Sequence, residues 1–115
     1  ALSRVKVEFD GRLAYTYVRW DDYSETGAEP ADTEDLVNEC LTVSGVEAAF
    51  ISIEQSNHQI KTSFRSRSHI DVAQVAEQFQ GGGHKLAAGA ILPGPLAEAQ
   101  LRVLTAMRAM LSATT

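Results

Sequence analysis

Hydrophobic and polar residues alternate strictly at the start of the chain. Val5, Val7 and Phe9 interleave with Arg4, Lys6 and Glu8, and after Asp10-Gly11 the residues Leu13, Tyr15 and Tyr17 interleave with Arg12, Ala14 and Thr16. A period of two on either side of Asp-Gly predicts a β-hairpin over residues 4–20 with a tight primed turn, its second strand running on toward Trp20. Residues 21–31 lose the alternation, carry Asp21, Asp22, Glu25 and Glu29, and include Gly27 and Pro30. They read as a loop of solvated acids rather than a metal site. Asp32 or Thr33 then caps a helix with Glu34 and Asp35 in its first turn and Leu36, Val37, Cys40 and Leu41 on one face, ending near Gly45. Residues 46–54 are almost continuously apolar, as expected of a strand covered on both faces.

Residues 55–58 make a turn that includes His58, and residues 59–66 return to period two. Ile60, Thr62 and Phe64 fall on one face of that strand, Lys61, Ser63 and Arg65 on the other. Asp71 caps a short helix that turns Val72, Val75, Ala76 and Phe79 inward. Residues 86–92 read as a strand of small and apolar residues, in which Ala87, Ala88 and Gly89 allow close approach of a backbone or ligand. Pro93-Gly94-Pro95 breaks it and starts a last helix over residues 95–112, with Pro95 in the first helical position and Leu101, Leu104, Met107 and Leu111 in its apolar stripe. The predicted architecture is α+β: one compact domain over residues 1–115, a mixed sheet of about five strands and about three helices.

With 115 residues there is room for one such core and not for two. No stretch approaches the length of apolar sequence that spans a bilayer, and no signal peptide is visible. A formal net charge of −5 argues against a surface built for non-specific duplex binding, so any polyanion must be met by a local basic pocket. Cys40 is the single cysteine, read as core, and a cytoplasmic location is expected. The chain opens at Ala1 directly before strand-like sequence and is read as a piece of a longer polypeptide.

The densest chemistry lies at Gln80-Gly81-Gly82-Gly83-His84-Lys85. One glycine suffices to stop a helix; three, followed by two potential cations, predict a loop whose backbone N–H groups converge on an anion. Ser63 and Arg65, spaced by two, with Ser66 at the strand's end, offer a guanidinium and hydroxyls to the same phosphate or carboxylate. His58 and His69 read as turn and helix-start residues, so no metal ligand and no catalytic residue is assigned.

Taken together, Ser63-Phe64-Arg65-Ser66, Ile70-Asp71-Val72 and Gly81-Gly82-Gly83-His84-Lys85-Leu86-Ala87-Ala88-Gly89 resemble the DHH-associated domain, the smaller C-terminal domain of the Asp-His-His phosphoesterases. The resemblance covers residues 33–90 most closely, within a core of residues 33–92, and is nearest to the branch of nanoRNases, phosphoadenosine phosphate (pAp) phosphatases and exopolyphosphatase-related proteins. It implies a manganese-dependent phosphodiesterase whose N-terminal DHH domain, absent from this chain, holds the metal. The smaller domain would grip short RNA or a small nucleotide phosphate through Ser63, Arg65, Ser66, Gly81, Gly82, Gly83, His84 and Lys85. The Asp-His-His signature occurs nowhere in this chain, so the segment alone is expected to be inactive. Two other readings remain: a stand-alone nucleic-acid or nucleotide binding module, and a regulatory or dimerising domain. Under the last, the glycines serve only a turn and Arg65 and His84 do not converge. The hairpin edge is where a second copy could pair to form a homodimer.

Overall fold

The computed structural model describes residues 6–8, 11–19, 37–42, 45–55, 57–67 and 70–113. The acidic loop, Trp20, the capping residues Asp32 and Thr33, and His69 lie outside these.

Among the described residues six strands form one mixed sheet: β1 (Lys6–Glu8), β2 (Leu13–Val18), β3 (Ala48–Glu54), β4 (Gln59–Ser66), β5 (Gly82–His84) and β6 (Ala87–Pro93), in the order β1-β2-β3-β4-β6-β5. All neighbours run antiparallel except β2 and β3. The first pair is the predicted hairpin. Glu8 stands opposite Leu13, and Gly11 has φ +81, the left-handed backbone that glycine adopts most readily. Both faces of β2 are covered. Ala14 and Thr16 are buried as fully as Leu13 and Tyr15, because β2 is an interior strand between β1 and β3 with both faces covered.

Helical segments lie at residues 37–40 (α1), Val72–Glu77 (α2) and Leu96–Ala113 (α3). On one side of the sheet α2 and α3 cover Leu13, Tyr15, Phe50, Ile60, Phe64 and Leu92. On the other, Val37 and Cys40 of α1 cover Ala14, Val18, Ala49, Ile51 and Ile53. The continuous apolar run of β3 feeds both cores, which is why it shows no alternation. Burial pushes the Cys40 thiol up to about 11, with the neighbouring Glu39 charge adding to the shift, in keeping with a core residue.

Asp71 caps α2 as predicted, its carboxylate accepting from the N–H groups of Ala73 (3.1 Å) and Gln74 (3.4 Å). Pro95 lies just outside α3 rather than at its first position, and its carbonyl accepts from the Ala99 N–H (3.1 Å). No described helix is long and apolar enough to cross a membrane.

Arg108 of α3 pairs with Glu8 of edge strand β1, and the Tyr15 hydroxyl lies beside the same carboxylate. The neighbouring Tyr15 hydroxyl is the main influence holding the Glu8 carboxyl below its ordinary range, and burial followed by the nearby Glu8 carboxylate pushes Tyr15 up to about 12. A phenol whose pKa is raised on folding contributes its stability fully below the unfolded value near 10 and loses it as the pH climbs through about 12. Urea midpoints of wild type measured against Tyr15→Phe should therefore fall progressively across that window. Parallel curves would remove Tyr15 from the account.

Candidate functional site

Residues directly opposite each other in paired strands point to the same face of a sheet. Arg65 of β4 stands opposite Ala87 of β6, and Ala87 stands opposite His84 of β5. Arg65 and His84 thus flank a methyl group in one cross-strand row, two strand spacings or about 10 Å apart. In the next row of that face Ser63 stands opposite Gly89, and Gly89 opposite Gly82. This is the face that α1 covers farther along the sheet, over β2 and β3. Over β4, β6 and β5 its floor is made of Ala87, Gly89 and Gly82, which leaves a trough between two long polar side chains.

The rim and floor differ in exposure. His84 is exposed, Arg65 is half-buried with its Nη1 donating to the Phe64 carbonyl (2.8 Å), and Ser63 is only 5 % exposed. An anion seated over Ala87 would meet donors from both sides, with Ser63 at the edge of the floor. Ser66 is one residue out of phase. It is buried on the side that carries α2 and α3, opposite Ala48, so it does not join Arg65 and Ser63. Lys85 occupies the two-residue turn between β5 and β6, beyond the last row of the trough. Its carbonyl accepts from the Val72 N–H (3.0 Å), and the Leu86 carbonyl accepts from the Ser66 N–H (3.0 Å), so α2 and β4 both anchor that turn.

The glycines do not make the expected loop. Gln80, not a glycine, takes the left-handed conformation (φ +65) that ends α2. Its N–H donates to the Glu77 carbonyl (3.1 Å) and the Gly81 N–H to the Ala76 carbonyl (2.9 Å), the double closure of a Schellman motif. Gly82, Gly83 and His84 then run as an edge strand. A Cβ on Gly81 would lie 2.1 Å from the Gly89 carbonyl oxygen, and one on Gly83 would lie 2.6 Å from the Ala88 Cα, whereas one on Gly82 would meet nothing within 4 Å. Gly81 and Gly83 therefore serve close packing of β5 on β6, and Gly82 keeps the trough open.

Strand alternation also puts Lys61 on this face, opposite Ile91 of β6. Neither was assigned to the site from sequence, although the spacing Lys61-Ser63-Arg65 carries the signal. Among the described residues, no three of the His, Cys, Asp and Glu side chains come together as a metal-binding group.

Comparison with known proteins identifies the family and the fold. The DHHA1 domain family matches residues 10–113. The chain is 35 % identical over 108 residues to the bifunctional oligoribonuclease and PAP phosphatase NrnA of Thermus thermophilus, covering 93 % of this chain and 32 % of that protein. It is 30 % identical over 77 residues to the protein of the same name from Bacillus subtilis, covering 67 % of this chain and 24 % of that one. The crystal structure of an exopolyphosphatase-related protein from Bacteroides fragilis superposes with a TM-score of 0.86 at 28 % identity, over 93 % of this chain and 32 % of that one. The chain thus spans about a third or less of each relative. A match across nearly its whole length, on a fold shared with one of those relatives, makes it a member of the DHHA1 domain family.

Proposed function

We propose that this chain is the substrate-binding domain of a manganese-dependent phosphodiesterase that hydrolyses short oligoribonucleotides or small nucleotides such as pAp. The observation that carries this reading is the Arg65–Ala87–His84 row, two donor side chains across a floor too small to obstruct a phosphate. The names of the two NrnA relatives supply the substrate class. Arg65 neutralises and orients the phosphate, His84 donates from the far side, and Gly82 and Gly89 let the sugar-phosphate backbone lie close to the sheet. Ser63 contributes a hydroxyl at the floor. Manganese does not fit the described residues, which offer no cluster of three ligands. The metal and the attacking water belong to an N-terminal DHH domain of the same polypeptide, and this segment alone binds without turnover.

Calorimetric titration of the chain with a short oligoribonucleotide and with pAp tests the reading. Wild type should bind both, and Arg65→Ala and His84→Ala should each weaken binding by about ten- to a hundredfold, as expected for hydrogen bonds to a charged group. Binding that survives both substitutions unchanged would place the nucleotide elsewhere. Tight binding of RNA by both wild type and variants would favour a stand-alone nucleic-acid module.

A further inference from the structure

The trough does not end at Ser63. One step farther along β4 the same face carries Lys61, opposite Ile91 of β6. The two rows nearer the β5–β6 turn extend onto β5, but β5 begins at Gly82, so this third row does not. Its place beside β6 is taken by the chain coming off α2. The result is a cavity of about 440 Å³ lined by Lys61, Phe79, Gln80, Gly81, Gly89 and Ile91. Ile91 is 55 % exposed, one of the few large apolar side chains on the surface, and Lys61 is exposed and pairs with no carboxylate among the described residues. Gly89 belongs both to this cavity and to the floor of the trough, so the cavity adjoins the trough.

Four residue steps along β4, about 13 Å, separate Lys61 from Arg65. A phosphate held between Arg65 and His84 is too far away to reach Lys61 as well. The geometry points to a second nucleotide subsite, in which the cavity takes a base or ribose against Ile91 and Phe79 and Lys61 meets the neighbouring phosphate. The domain then distinguishes dinucleotides and longer chains from mononucleotides. This rests on the Arg65–His84 row being the first phosphate site, and it adds that chain length is read on this domain, at residues separate from that row.

Binding of 5′-AMP and of the 5′-phosphorylated dinucleotide pApA to the chain, with EDTA present, separates the two sites. Wild type should prefer pApA. Lys61→Ala and Ile91→Ser should each weaken pApA by about three- to tenfold while leaving 5′-AMP within about twofold, and Lys61→Arg should restore the preference. Arg65→Ala should weaken both ligands. Equal loss of both ligands in the Lys61 and Ile91 variants, or loss of neither, overturns the second subsite while the first stands. Failure of wild type to bind either ligand overturns the phosphate row, and the second subsite with it. Both substituted side chains are exposed, and thermal melts of the variants that match wild type confirm that the fold is retained.

Discussion

Gly81→Ala should remove about 3 kcal/mol or more from the stability of this domain, toward and beyond the upper end of ordinary overpacking, while Gly82→Ala one residue away costs almost nothing. The difference lies in what a methyl group meets. At Gly81 it would stand 2.1 Å from the Gly89 carbonyl oxygen, 2.6 Å from the Ala90 Cβ and 2.8 Å from the Ala90 Cα. These are atoms of the β6 backbone and its first side-chain carbon, held in register by β4, so they cannot rotate aside as the end of a long side chain would. Relief requires β5 to lift off β6 or the end of α2 to shift, and the Gly81 N–H bond to Ala76 resists the second. Gly83→Ala should also be severe, since a φ of +143 is closed to alanine and the added carbon would lie 2.6 Å from the Ala88 Cα. At Gly82 there is open space, and alanine there reduces the freedom of the unfolded chain. Its methyl group, however, projects onto the floor of the trough beside Gly89, one row from Arg65 and His84. Gly82→Ala is therefore the variant expected to fold normally and bind nucleotide poorly. Urea denaturation of the three variants, followed by nucleotide titration of Gly82→Ala, checks the whole pattern, and similar midpoints for Gly81→Ala and Gly82→Ala would contradict it.

That contrast also marks where the sequence was legible and where it was not. Period-two alternation located the hairpin and β4 with their faces, including the pairing of Ser63 with Arg65, because alternation is a local property of an extended backbone. The cap at Asp71 and the inward set Val72, Val75 and Ala76 were equally local. The phase of Ser66 was legible too, since the alternation that joins Ser63 to Arg65 excludes the next residue. Three features were not local. Glycine-rich sequence reads as a loop because glycine disfavours strands, yet residues 82–84 form one because β6 offers an open edge whose own small residues admit a bare backbone. Burial of both faces of β2 depends on a parallel neighbour more than thirty positions away, so Ala14 and Thr16 gave no warning. The helix end at Gln80 defied the preference for glycine in the left-handed conformation. The two closing hydrogen bonds and the demand for Gly81 at the contact with β6 outweigh that preference.

The placement of Arg65 and His84 in one cross-strand row is non-local too. The residues are 19 positions apart in the chain and meet only through Ala87, the residue that pairs with both. The sequence showed two motifs with suitable chemistry; the strand order β4-β6-β5 is what makes them one surface.

The same strand order makes the opposite side of β4 the support for that surface, and Phe64→Ala should expose this dependence with a loss of about 3–5 kcal/mol. Phe64 is fully buried, stands opposite Phe50 of β3 and Ala88 of β6, and its ring packs at 6.3 Å from that of Phe50, which in turn stacks on Tyr15 at 5.0 Å. Removing the ring leaves a cavity at the centre of the sheet that neighbouring strands, fixed by ladder hydrogen bonds on both sides, can close only in part. For a domain of this size the melting temperature should drop by roughly 10 °C or more. The site should suffer as well, because Phe64 directly precedes Arg65 and its carbonyl accepts the Arg65 Nη1 hydrogen bond. Phe64→Leu fills most of the space, so it should lose much less stability and keep nucleotide affinity close to wild type. Thermal melts with and without saturating pAp distinguish the contributions. If the trough is supported through Phe64, the rise in melting temperature on adding ligand should shrink in Phe64→Ala and persist in Phe64→Leu. An undiminished rise in both would mean that β4 holds Arg65 in place without help from the core behind it.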